Sequence, residues 1–67
     1  MSVVKIIEIL AESEKSWEDA AQVAVKQASK TIKNIKSVYI ENMEAKVDGS
    51  KIVKYRINAK ISFVLGK

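Results

Sequence analysis

The chain contains no cysteine and no histidine. That removes disulfides, thiolate or imidazole metal sites, and the side chains most often recruited as nucleophile or general base near neutral pH. It has no proline and only two glycines, so no Pro- or Gly-rich linker divides its 67 residues and no glycine-rich phosphate loop is present. Aromatics are scarce: one tryptophan, two tyrosines and one phenylalanine. No apolar run is long enough to span a bilayer, and no charged segment leads into an apolar one at the start, so the expectation is a soluble, cytoplasmic protein with no membrane partner.

What is present is one short domain, residues 1–67. Domains of this size bury a small fraction of their surface and sit near the limit of independent stability. With disulfides and histidine or thiolate metal sites excluded, oligomerisation is the remaining way to supplement the core. Twelve basic residues against eight acidic ones give a formal net charge of +4, which favours anionic partners without choosing among phosphorylated cofactors, nucleic acid and acidic proteins.

Along the chain, VVKIIEIL at 3–10 is a β-branched run that reads as a strand. Both of its parities are apolar. Val4, Ile6 and Leu10 fall on one face and Val3, Ile7 and Ile9 on the other, and the second set is assigned to the face away from the helix. SWEDAAQVAVKQASKTIKN follows, with Ser16 and Asp19 at capping-box spacing and Glu18 and Asp19 in the first turn. Trp17, Ala21, Ala24, Val25, Ala28, Ile32 and Ile35 keep helical spacing, and the many alanines let such a helix approach a sheet closely.

From residue 37 the period becomes two. Asp48-Gly49 within VDGS carries the signature of a tight hairpin. In the last strand Val53, Tyr55, Ile57, Ala59, Ile61, Phe63 and Leu65 alternate with Lys54, Arg56, Asn58, Lys60 and Ser62, a dry face and a polar one. With Asp48 and Gly49 as the turn, Ile40 faces Ile57 and Val38 faces Ala59 on the dry side. On the other side Tyr39 faces Asn58, Ser37 faces Lys60 and Glu41 faces Arg56. The fold class is therefore α+β, β-α-β-β: a three-stranded antiparallel sheet with one helix packed on one face. The uncovered face, carrying Tyr39, Met43, Val64 and a band of charge, is expected to meet other subunits, a ligand or both.

KIIEIL in the first strand, SWEDA at the helix start, ASKTIKNI through its end, the Asp-Gly hairpin and YRINAKISF in the last strand occur in an order and spacing that resembles the dodecins. The resemblance runs the length of the chain. It implies a hollow homododecamer with the helices outside, and flavin (riboflavin, FMN or FAD) held between subunits for storage or protection, without turnover. In the flavin-binding members a tryptophan at the start of the second strand stacks on the isoalloxazine ring and a glutamine on the third strand bonds its polar edge. By register those positions are Ser37 and Arg56 here; serine offers no π surface and arginine no acceptor. Tyr39, two residues on and on the same face, is the alternative stacking surface. SVYI is similar to a subgroup that lacks the tryptophan and is associated with calcium.

The candidate ligand-contact residues are thus Ser37, Tyr39, Arg56, Asn58 and Lys60, and Glu41 and Glu44 are the candidate hard-cation ligands if symmetry brings copies together. Trp17 reads as a plug over the end of the sheet. A third reading makes Lys54, Arg56 and Lys60 around Tyr39 a nucleic-acid patch. No catalytic constellation is visible, and the chain is read as a non-enzyme.

Overall fold

The structure is a computed structural model and describes residues 3–66. Strand β1 (Val4–Ser13) leads into helix α1 (Trp17–Ala28), followed by the long strands β2 (Ile35–Asp48) and β3 (Lys51–Val64). The sheet order is β1-β3-β2, antiparallel throughout, so the strongly alternating strand is the central one. The expected β-α-β-β architecture is the observed one.

The helix starts where its cap residues demand. Ser16 is extended and its hydroxyl accepts from the Asp19 amide at 2.9 Å, satisfying one orphan donor of the first turn. The reciprocal half of the box is relayed. Buried Ser13 donates to Asp19 Oδ2 at 2.6 Å while accepting from the amides of Lys15 and Ser16. The helix ends earlier than its apolar spacing predicts: after Ala28 the bonds Lys30 N to Gln27 O and Thr31 N to Ala28 O tighten the chain, and Ser29 Oγ donates to Lys26 O. Serine and threonine at this point offer the backbone partners other than the helical ones. Asn34 then turns the chain with a φ of 65°, a region asparagine tolerates, and Ile35 belongs to β2, not to the helix stripe.

The core is small and built on close approach. Ala20 of α1 packs with Ile57 and Ala59 of β3 in one buried cluster, and Ala24 and Ile61 are buried as well. Ala11, Trp17, Ala21, Val38 and Ile40 pack around that cluster. Each fully buried isoleucine contributes about 1.5–3 kcal/mol. Trp17 meets Tyr55 edge to face at 4.9 Å, and its indole N–H donates to Glu44 O at 2.9 Å, so it plugs the end of the sheet as expected.

Two expectations are corrected. The faces of β1 are exchanged: Ile7, Ile9 and Ala11 pair with Ile61, Ala59 and Ile57 on the helix side, while Val4, Ile6 and Leu10 lie on the uncovered side and are exposed. Both parities are apolar, so only the pairing with β3 could decide. The hairpin also turns one residue later. Asp48 pairs with Lys51, leaving Gly49 and Ser50 as the loop, with Gly49 at φ 67° and no positive φ at Ser50, the pattern of a type II′ turn.

Irregularities then reset the register along the ladder, where Val53, Glu41 and Lys36 are each the extra residue. Tyr39 consequently pairs with Lys60 and not Asn58, Ile40 with Ala59, Val38 with Ile61, and Ser37 with Ser62. Each of these is displaced by two positions from the expected partner, which preserves the face. Between Glu41 and Val53 the displacement is three and the parity reverses. Met43 comes opposite Ile57, and Asn42 and Glu44 enter the row of Asn58 and Arg56. Among the described residues no helix is long and apolar enough to cross a membrane.

Candidate functional site

The uncovered face can be read rung by rung across β1, β3 and β2: Ile6, Ser62, Ser37; Glu8, Lys60, Tyr39; Leu10, Asn58, Asn42; Glu12, Arg56, Glu44. The pleat places these side chains on one side because partners directly across a ladder share a face.

At one end, Ser37 Oγ and Ser62 Oγ lie 2.5 Å apart and share a hydrogen bond. On the next rung Tyr39 is 64% exposed. Lys60 beside it forms an ion pair with Glu41 at 3.5 Å, because the bulge at Glu41 brings that carboxylate back towards Lys60. The expected Glu41–Arg56 pair is therefore not formed.

Arg56 instead bridges the outer strands. Its Nε and Nη2 donate to Glu12 Oε2 at 2.8 and 2.5 Å, and Nη1 reaches Glu44 Oε1 at 3.5 Å. Lys54 adds an ion pair to Glu12 Oε1 at 3.6 Å. Hydrogen bonding to Arg56, reinforced by the charges of Arg56 and Lys54 and opposed by partial desolvation, holds the Glu12 carboxyl below its ordinary value of 4.5. The same bond to Glu12 raises the Arg56 pKa. Lys54, Arg56 and Lys60 are each matched by a carboxylate, so the patch offered to a nucleic acid is largely neutralised.

Between the tyrosine rung and the arginine rung lies Asn58. Its Oδ1 is buried and has no hydrogen-bond partner, which costs about 1–3 kcal/mol for a neutral group left unsatisfied. Asn58 lines a groove of about 350 Å³ together with Leu10, Asn42, Met43, Glu44 and Arg56. Lys60 is two residues from Asn58 on β3, so the exposed Tyr39 ring stands diagonally from the unpaired acceptor, roughly 7–8 Å away at the backbone.

Of the candidate contact residues, Arg56 and Asn58 come together in the groove, Tyr39 and Lys60 form its neighbouring rung, and Ser37 lies one rung further. Glu44 lines the groove and Glu41 does not. Among the described residues no three acidic side chains converge within one chain to hold a metal ion. Leu10, Glu12 and Asn42 escaped the sequence reading of this face, whereas Met43, which the sequence assigns to it, lines the groove. Finding Asn42 required the bulge at Glu41, and finding Leu10 and Glu12 required knowing that β1 lies beside β3.

The chain is thus a member of a class of short β-α-β-β proteins with a helix on one side of the sheet and a grooved, partly apolar face on the other. The dodecin family model matches residues 3–66, and the chain belongs to the dodecin family. It is 36% identical over 63 residues to calcium dodecin of Mycobacterium tuberculosis, covering 94% of this chain and 89% of that one. The crystal structure of that calcium-chelating antigen, with its calcium-binding site, superposes at a TM-score of 0.83 and 34% identity over 97% of this chain and 93% of the other. A point variant of Thermus thermophilus dodecin matches at a TM-score of 0.93 and 22% identity over the full length of both chains. Dodecin from Streptomyces coelicolor gives 0.92 at 17% identity, over 98% and 94%. These last two show the fold alone.

Proposed function

We propose that this dodecin assembles as a homo-oligomer, on the family's pattern a hollow dodecamer, and that it stores a small planar ligand on the uncovered sheet face without turning it over. The observation that carries the reading is Asn58. An unpaired buried acceptor sits in a groove one rung from an exposed phenol ring, a combination that suits a flat molecule with an N–H edge: Tyr39 supplies the stacking surface and Asn58 Oδ1 the edge contact. Flavin is the leading ligand.

The residues fit flavin through Tyr39 and Asn58, not through the two positions named by the resemblance. Ser37 is engaged with Ser62 and presents no ring, and Arg56 is held between two carboxylates. Lys60, beside Tyr39, is the group placed to meet a ligand phosphate. Titrating riboflavin and FMN with the protein and following fluorescence tests this: quenching that saturates at one ligand per site supports it, and unchanged fluorescence at micromolar concentrations sinks it. Gel filtration of the same sample tests the assembly, and the cytoplasmic placement proposed here is checked by fractionation.

A metal-stabilised shell is the second reading, favoured by the calcium-chelating relative and by the carboxylates of Glu8, Glu12, Glu41 and Glu44 along this face. One chain does not assemble the six to eight oxygens calcium takes, and Glu12, Glu41 and Glu44 already face cations. Copies meeting at a symmetry axis would have to supply the rest. An oligomer that dissociates with a chelator and reforms with calcium would favour this reading over flavin.

A further inference from the structure

The formal net charge of +4 has an address in the chain. No acidic residue occurs from Ala20 to Ile40, a stretch that carries Lys26, Lys30, Lys33 and Lys36. The other eight of the twelve basic residues are matched in number by the eight acidic ones, so the remainder of the molecule is balanced. The fold gathers the four lysines at one end. Lys26 stands in the last turn of α1, Lys30 and Lys33 in the link that follows, and Lys36 at the bulge where β2 begins. All four are exposed.

Local structure does not consume these charges. Lysines near a helix C-terminus often serve its last carbonyls, but here each of the final four already has a donor. Ser29 N reaches Val25 O, Ser29 Oγ reaches Lys26 O, Lys30 N reaches Gln27 O, and Thr31 N and Ile32 N share Ala28 O. These bonds carry the chain on past α1, so Lys30 lies one turn beyond Lys26, about 5–6 Å away at Cβ. Among the described residues no carboxylate forms an ion pair with any of the four. The sheet face is the opposite case, since Lys54, Arg56 and Lys60 are all matched there.

We infer that Lys26, Lys30, Lys33 and Lys36 dock this end of the fold on the phosphodiester backbone of a nucleic-acid duplex, without reading its sequence. Unpaired lysines are point charges suited to phosphates. The stretch holds no arginine for bidentate base contacts and no aromatic between Trp17 and Tyr39 on which unpaired bases could stack. An anionic bilayer would call for apolar side chains beside the lysines, and none of the large exposed hydrophobics falls between Ala24 and Val38. Gln27, Thr31 and Asn34 lie exposed among the lysines instead, and amides and hydroxyls of this kind bond phosphate oxygens. The inference uses neither Tyr39 nor Asn58 and stands apart from the stored ligand.

Fluorescence anisotropy of a labelled, random-sequence DNA duplex, titrated with the protein at several salt concentrations, tests this. Four phosphates neutralised by one chain give a slope of about −3.6 in log affinity against log salt, a loss of roughly 150-fold between about 50 and 200 mM, and a steeper one where several copies touch one duplex. Lys30→Gln with Lys33→Gln is expected to halve the slope, and Lys30→Arg with Lys33→Arg to keep it. Lys46→Gln with Lys51→Gln, which removes the same charge from the exposed hairpin end, is expected to leave it unchanged. Circular dichroism and gel filtration confirm native fold and mass in each variant, whose substituted side chains are all exposed. Equal losses in the two glutamine pairs would mean that net charge alone attracts the duplex, and would overturn the inference. So would an unbound duplex at about 50 mM salt, tighter binding of the single strand than of the duplex, or capture of the protein by phosphatidylserine vesicles but not by DNA.

Discussion

Ser37 and Ser62 face each other across the β2–β3 ladder with their hydroxyl oxygens 2.5 Å apart. The position at which flavin-binding relatives are expected to carry a stacking ring is thus closed by a small, self-satisfied polar pair. The open aromatic surface has moved one rung along, to Tyr39 beside Lys60. Stacking and hydrogen bonding on this face are therefore separable by substitution.

Ser37→Trp places a second ring on the same face and is expected to tighten riboflavin binding by roughly 5- to 150-fold, the equivalent of about 1–3 kcal/mol of stacking. A fluorescence titration of variant against native protein measures it. Equal affinities would mean that the ligand does not lie over this end of the sheet.

Removing the ring should do the reverse. Tyr39→Ala is expected to weaken the same ligand by about 1–3 kcal/mol with little change in thermal stability, because the side chain is mostly exposed. A fall in melting temperature with affinity unchanged would make Tyr39 a packing residue between subunits instead.

Asn58 separates binding from stability most sharply. Asn58→Leu replaces an unsatisfied amide by an apolar side chain of similar size beside Leu10. Relieving the buried acceptor should stabilise the fold by about 1–3 kcal/mol, and ligand binding should be lost. Thermal melts and titrations on the same preparation check both directions. Destabilisation would show that the carbonyl already has a partner in the assembled protein.

The Glu12–Arg56 pair gives stability a pH dependence. Because the folded Glu12 carboxyl titrates below its ordinary value of 4.5, its contribution is fully present above that value. As the pH falls further, the unfolded chain takes up its proton first, and the contribution is lost progressively until the folded carboxyl is protonated as well. Native protein should therefore lose stability in this acid window more steeply than Glu12→Gln. Parallel curves from denaturant unfolding at several pH values would show that the pair adds nothing. The pair is partly exposed, so added salt should shrink the difference.

In the core, Ile57→Ala is expected to cost about 2–5 kcal/mol, since Ile57 is fully buried beneath α1. The midpoint of chemical unfolding measures it, and a shift below about 1 kcal/mol would mean that the helix settles into the vacated space.

The order of elements was legible because each has a local signal. Alternation from Val53 to Leu65, the Ser16 cap with its acidic first turn, and the glycine of the hairpin are written within a few residues of where they act. The side of the sheet on which Tyr39 lies was legible for the same reason. The partners of these residues were not. Val4 through Leu10 are apolar on both parities, so the sequence could not say which set faces the helix. The bulge at Glu41 gives no local signal, yet it sends Glu41 to Lys60, puts Asn42 across from Asn58 and frees Arg56 for Glu12. The sequence by itself determined a β-α-β-β chain with one dry and one open face, because hydrophobic period is a local property. Tertiary structure decided the groove and the unpaired acceptor, because these depend on where strands end and how they register against each other.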